Sequence, residues 1–115
     1  MKTYRNDFKK RWHRLSFFEQ MANVGSEVER AIKWQENGND KYSNLAFKRA
    51  LELLDFTIEA VKELHRLREL LRLREALVDY FAYNNLYRSS AKSWHSYFFA
   101  FNYAARLSLR RKQHM

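Results

Sequence analysis

Four histidines, His13, His65, His95 and His114, are the side chains of this sequence best suited to proton transfer near neutrality. No two of them have H-x-x-x-H or H-E-x-x-H spacing, so none reads as part of a metal site. The chain has no cysteine, which removes thiolate ligands and sulfur nucleophiles as well. No metal or cofactor is expected. One spacing does suggest catalysis. Arg88 and His95 are seven positions apart, which on a helix returns to nearly the same face, so the arginine would hold a phosphate while the histidine acts as general acid or base. Against it, Ser89 and Ser90 favour a helix start, which places Arg88 just outside the helix and leaves its alignment with His95 unfixed. A partly buried, structural His95 is the plainer reading, and no catalytic residue is assigned.

A second chemistry is carried by numbers of residues. There are 22 Lys and Arg against 13 Asp and Glu, a formal charge of +9. Divided along the chain, residues 1–14 carry +5, residues 15–79 carry −2, and residues 80–115 carry +6 with no acidic side chain at all. Solvated helical faces normally mix the two signs, which accounts for the middle and poorly for the ends. Cations gathered in this way suit phosphate contacts, whose affinity derives from counterion release and depends little on base sequence. The competing reading is a protein interaction module that docks an acidic partner through the same cations. A membrane surface fits less well, because the basic residues do not flank one exposed apolar stripe.

These side chains must be positioned by helices. At 115 residues the chain is one domain, which excludes a two-domain enzyme. Apolar residues make up 46% and aromatics 17%, enough for a continuous core. With no proline and only Gly25 and Gly38, a turn-rich β-sandwich or a glycine-cradled nucleotide site has little to be built from. The fold class is therefore all-α. The start MKTYRNDFKK lacks the apolar stretch of a secretion signal, and with the absence of cysteine this gives the expectation of a cytoplasmic protein.

Ser16-Phe17-Phe18-Glu19 has capping-box spacing and opens a helix whose stripe is Phe17, Met21, Val24, Val28 and Ile32, with Ala31 beside it. Asn37-Gly38-Asn39-Asp40 ends it. Phe47, Leu51, Leu54, Ile58 and Val61, flanked by Ala50 and Leu53, form the second stripe. Continued in phase, that stripe would bury His65, Arg68, Arg72, Glu75 and Asp79, so the phase must break, and a turn is predicted within residues 61–65. The third register is Leu64, Leu67, Leu71, Val78 and Phe81. Asn84, Asn85 and Ser89-Ser90 mark the next connection, and Trp94, Phe98, Phe101 and Ala105 form the last stripe. Short connections between these four segments predict an up-down antiparallel four-helix bundle, with residues 1–14 a basic N-terminal arm and 109–115 a basic C-terminal tail.

In that topology the start of the first bundle helix, the end of the second, the start of the third and the end of the fourth share a pole. Fourteen of the 22 basic residues converge there: Lys2, Arg5, Lys9, Lys10, Arg11, Arg14, Lys62, Arg66, Arg68, Arg72, Arg106, Arg110, Arg111 and Lys112. Asp7, Glu63 and Glu69 dilute the pole without cancelling it. The nucleic-acid-binding set drawn from these is Lys9, Lys10, Arg11, Arg14, Arg66, Arg68, Arg72, Arg106, Arg110, Arg111 and Lys112.

Ten of the nineteen aromatic residues lie between Tyr80 and Tyr103, more than one helix face can hide. Trp94, Phe98 and Phe101 belong to the core, whereas Tyr97, Phe99 and Tyr103 suit a homo-oligomer interface or a stacking surface for unpaired bases.

Two resemblances bear on these residues. The stretch Ala22-Asn23-Val24-Gly25-Ser26-Glu27-Val28-Glu29-Arg30, with the later run Phe47-Lys48-Arg49-Ala50-Leu51-Glu52-Leu53-Leu54, resembles the bacterial four-helix-bundle family of 23S rRNA intervening-sequence proteins and the diversity-generating retroelement accessory protein Avd. The likeness covers about a third of the chain. It departs from the family pattern in that Gly25 precedes Glu27 and the Gly-Ser-Leu that often follows is absent. The matched positions, Asn23, Gly25 and Arg30, read as structural. The resemblance implies a ring-like homo-oligomer, a pentamer if Avd-like, that binds a reverse transcriptase and its RNA without catalysis. Separately, the Arg88 to His95 spacing is similar to the Arg-x(4–6)-His motif of HEPN-superfamily ribonucleases, which implies RNA cleavage within a toxin-antitoxin system.

Overall fold

A computed structural model describes residues 2–113, with side chains described from 5 to 111. All secondary structure in it is helical: α1 (Lys2–Arg14), α2 (Phe17–Glu36), α3 (Asp40–Ala60), α4 (Leu64–Ala82) and α5 (Ala91–Gln113). The helix count is corrected from four to five, because the segment read as a basic arm is itself helical. The segment read as a tail continues α5 as far as Gln113, and residues 114–115 lie outside the described residues.

The helix ends follow local chemistry. Ser16 Oγ accepts from the Glu19 N–H at 3.1 Å and starts α2, while Gly38, at φ +76°, takes the left-handed conformation after it. Asn39 caps α3 through the Tyr42 N–H. The predicted break occupies Val61, Lys62 and Glu63, and it needs no glycine or proline. The Glu63 carboxylate accepts from the N–H groups of both His65 and Arg66, which starts α4. Those two bonds hold the Glu63 carboxyl below its ordinary pKa, with the His65 and Arg66 charges adding to them.

α2 is the central element, packed on α3 along one side and on α5 along another. Its stripe is buried as predicted: Met21, Val24, Val28, Ala31 and Ile32 are all at most 2% exposed. Ser43 Oγ donates to Ala31 O, and Thr57 Oγ1 donates to Gln20 Oε1, so α2 and α3 run antiparallel. Against α5, Phe17 meets Phe101 edge-on at 6.0 Å and Glu29 meets His95, which makes that pair antiparallel too. Between these contacts Gly25 lies against Phe98, where an added Cβ would stand 2.8 Å from the Phe98 Cβ, Cγ and Cδ1. The glycine is there for close approach of the two helices.

Two expectations are corrected. First, the buried face of α4 is Leu70, Leu73 and Leu77, whereas Leu64 and Leu71 of the predicted register are 58% and 46% exposed. Phe47 packing against Phe81 with ring centroids 5.1 Å apart and the Arg74–Asp55 ion pair at 2.8 Å fix that rotation against α3. Second, residues 1–14 contribute to the core. Trp12 is 4% exposed, and its Nε1 donates to Thr57 Oγ1 at 3.0 Å. Gln20 Nε2 donates to Trp12 O, closing a buried polar network between α1, α2 and α3. Phe8 packs beside Trp12 and against Phe56. Phe56 and Thr57 are buried beyond the predicted α3 stripe because α1 covers that side.

Asp79 is buried, which the sequence argument disfavoured, and the connection after α4 explains it. Its carboxylate accepts from the N–H groups of Leu86 and Tyr87. Asn85, at φ 53°, bonds both the N–H and the carbonyl of Ser89. Ser90 Oγ accepts from the Ser93 N–H, and Ser93 Oγ accepts from the Ser90 N–H, a reciprocal cap that starts α5. No helix among the described residues is long and apolar enough to cross a membrane.

Candidate nucleic-acid interface

The basic residues named from sequence fall into three places. The first is the end of the molecule where α1 finishes, α2 and α4 begin and α5 runs out. An aromatic cluster organises it: Phe17 contacts both Phe18 and Phe101, and the Arg66 guanidinium lies 4.0 Å over the Phe17 ring. This cation–π contact anchors the start of α4 to α2 and α5 and leaves Arg66 exposed. Arg14 ends α1 two residues before the Ser16 cap, and Lys62 lies in the turn before α4. Arg106 is five residues beyond Phe101, about 7 Å further along α5. Ala105 is the last buried residue of that helix among the described ones. Past it, Arg106, Arg110 and Arg111 are exposed, interspersed with Leu107 and Leu109. Lys112 lies on α5, with its side chain outside the described residues.

The second place is α1. Lys9 pairs with Glu59 at 2.8 Å and, like Arg5, lies over the Phe56 ring, so much of its charge is already matched. Lys10 is exposed. Arg11 borders a groove of about 450 Å³ that also holds Arg30 and Arg49, each tied to a carboxylate on its own helix. That juxtaposition of Arg11 with the middles of α2 and α3 was invisible while residues 1–14 were read as an arm.

The third place is the outer flank of α4. Arg68 is exposed there, and Arg72 sits at the helix midpoint, close enough to Tyr87 to oppose the rise in that phenol's pKa. Arg72 lies six residues beyond Arg66, about 9 Å along α4 and about 120° around it, so it does not join the Arg66 cluster. Lys10, Arg11, Arg14, Lys62, Arg66, Arg68, Arg72, Arg106, Arg110 and Arg111 form no ion pair among the described residues.

The aromatic residues expected outside the core are outside it: Phe99 and Tyr103 are exposed, and Tyr97 is partly covered. Burial pushes the Tyr97 phenol up to about 12, with the Glu69 carboxylate across from it adding to the shift.

Arg88 and His95 occupy different kinds of structure. Arg88 is in the connection, with a left-handed backbone at φ 55°, outside α5 as its serine neighbours predict. His95 is in the second turn of α5, and its Nδ1 bonds the Glu29 carboxylate of α2. His95 and Glu29 line an open groove with Ser26, Arg30, Lys33 and Trp34, and Arg88 is not part of it. Sequence reasoning did not find Glu29, because nothing in the spacing links two residues on different helices. No three His, Cys, Asp or Glu side chains gather as a metal site among the described residues. The chain matches no protein-family model, no curated protein and no solved structure.

Proposed function

We propose that this protein is a non-enzymatic, cytoplasmic RNA-binding accessory protein that works as a homo-oligomer. In this reading α2 to α5 form an up-down four-helix bundle with α1 docked along it. RNA is held at the end where Arg14, Lys62, Arg66, Arg106, Arg110 and Arg111 are presented. The observation that carries it is the acid-free stretch from residue 80 onward, which ends in a helix whose exposed last turns offer arginine with no carboxylate on that helix to neutralise it. Such cations bind phosphate by displacing counterions. The resemblance to the retroelement accessory proteins extends the reading to a ribonucleoprotein with a reverse transcriptase.

The test is binding of a structured RNA by fluorescence anisotropy across a salt series. Log affinity should fall linearly with log salt concentration, and the triple substitution of Arg110, Arg111 and Lys112 by Ala should flatten that slope by about 2 to 3 while the helical spectrum is unchanged. Affinity that does not respond to salt refutes the reading. Co-purification of an acidic protein with no nuclease-sensitive absorbance supports the docking module instead.

A further inference from the structure

α4 carries two apolar faces, and the chain buries only one. Leu70, Leu73 and Leu77 turn into the core, whereas Leu64, Leu67 and Leu71 recur at steps of three and four along the outer flank, and Val78, seven residues on, lies at the edge where that flank meets the core. That is the spacing of a helix-pairing seam. Leu64 and Leu71 are exposed, and Leu67 and Val78 are half-buried. The connection after α4 extends the same surface. The Tyr87 hydroxyl donates to Glu75 at 3.0 Å, and Tyr83, Leu86 and Tyr87 border a shallow cavity of about 480 Å³ together with Val78. Leu86 at 81% and Tyr83 at 73% exposed are the most exposed large apolar side chains among the described residues. Apolar side chains this contiguous on a monomer surface mark an interaction site.

We infer that this face pairs with the same face of a second copy, α4 against α4 in antiparallel orientation, about a two-fold axis through Leu71. The inference deepens the homo-oligomer part of the proposed function by naming the surface, makes the assembly a two-fold dimer in place of the ring that the resemblance implies, and does not rest on RNA binding.

The pattern is self-complementary about Leu71. Leu64 lies seven residues before it and Val78 seven after, so reversal sets each Leu64 against the partner's Val78, with the two Leu71 side chains meeting at the axis. Charge follows the same symmetry. Arg68 lies three residues before Leu71 and Glu75 four after, on the flank away from the core, and neither forms an ion pair within the chain. Antiparallel pairing brings each Arg68 to the partner's Glu75, twice per dimer. A parallel in-register pair would turn both residues toward the side of the helix already occupied by Leu70 and Leu77 and by α3. In reach, the 19 residues of α4 span about 28 Å. Each exposed connection adds to that length near the start of the partner's α4. Stable dimers bury roughly 800 Å² per partner, so the helix seam and the exposed connections must both contribute to the contact.

The experiment uses the full chain, treated with nuclease so that RNA cannot bridge copies. Sedimentation equilibrium at micromolar concentration should give twice the 14.1 kDa chain mass. Leu71→Glu puts two carboxylates at the axis and should raise the dissociation constant at least about 30-fold, the scale of a central hot-spot residue. Leu71 is 46% exposed and outside the buried core, so that variant should keep its helical spectrum and a cooperative melt, with the midpoint lowered only by the lost dimer stabilisation. Orientation is read by disulfide trapping, since the chain has no cysteine of its own. R68C mixed with E75C should cross-link under mild oxidation, while each alone should not. A monomeric wild type overturns both this inference and the homo-oligomer. An oligomer that survives Leu71→Glu overturns the surface alone, and self-cross-linking of R68C overturns the antiparallel arrangement.

Discussion

Replacing Gly25 by alanine tests the close packing of α2 on α5 with a single methyl group. In an isolated helix the change would help by about 1 kcal/mol, since alanine loses less backbone freedom than glycine on ordering. Here the new Cβ stands 2.8 Å from three atoms of Phe98, well inside ordinary carbon contact, and one of the three is the Phe98 Cβ. Rotating the ring cannot move that atom. Phe98 is 1% exposed and hemmed by Trp94, Tyr97 and Phe101, so relief requires α5 to shift bodily from α2. Inserting a methyl group into such packing costs about 1–3 kcal/mol, and a clash with a Cβ belongs at the upper end. Net of the propensity gain, Gly25→Ala should destabilise by about 1–2 kcal/mol. For a chain of this size that lowers the melting midpoint by about 4–8 °C. The assay is thermal and denaturant unfolding followed by far-ultraviolet circular dichroism, with exposed Ser26→Ala as the control that reports helix propensity together with loss of the exposed Ser26 Oγ to Ala22 O bond. An unchanged or raised midpoint for Gly25→Ala would refute the close approach of the two helices at this point.

Thr57→Val keeps the shape of a buried side chain and removes the oxygen that accepts from Trp12 Nε1 and donates to Gln20. It should cost about 1–3 kcal/mol by denaturant titration and shift the Trp12 fluorescence; no change would show that α1 is not docked as described. His95→Ala removes an exposed pair with Glu29, so stability should fall by less than about 1 kcal/mol and RNA affinity should hold. RNA cleavage by the wild type that disappears in that variant would instead establish the ribonuclease reading. Tyr97 supplies an alkaline test. Its pKa is raised from 10.0 to about 12 in the folded chain, so the folded form holds the proton more tightly, and its contribution to stability is complete below about 10 and lost as pH rises toward 12. Tyr97→Phe should therefore weaken the loss of stability in that window, as measured by urea midpoints from pH 9 upward; identical pH profiles would place the phenol in water.

The elements that could be read from sequence were those whose apolar residues are needed on one side only. α2 and α5 each present a single stripe to the core, and their starts are marked by serine hydroxyls that bond the backbone three residues on. α1 was missed for a different reason. Phe8, Trp12 and Leu15 have helical spacing, but six cations in fourteen residues conceal it, and the partners that make burial of Trp12 favourable, Thr57 and Gln20, are far away in sequence. The basic site was legible in the same limited way. Chain direction brings Arg14, Lys62, Arg66 and Arg106 toward one end, but no spacing rule shows that Lys9 is matched by Glu59.

The misread register of α4 has a physical cause that bears on function. Burial of apolar residues sets the rotation of a helix only when a single face is apolar, and α4 offers Leu70, Leu73 and Leu77 on one face and Leu64, Leu67 and Leu71 on another, with Val78 at the boundary. Leucine counts cannot choose between them. The choice is made by contacts with definite direction. Arg74 donates two hydrogen bonds to Asp55, Phe81 packs against Phe47, and Asp79 receives the N–H groups of Leu86 and Tyr87. Turning α4 by about 100° to bury Leu64 and Leu71 would break all three sets at once and leave the Asp79 carboxylate and two backbone N–H groups without partners, at about 1–3 kcal/mol for each group left buried. The outer leucines are therefore held outward by polar bonds elsewhere on the same helix. In the isolated chain no rearrangement of α4 can hide them without breaking those bonds, so any surface that covers them must come from outside the chain.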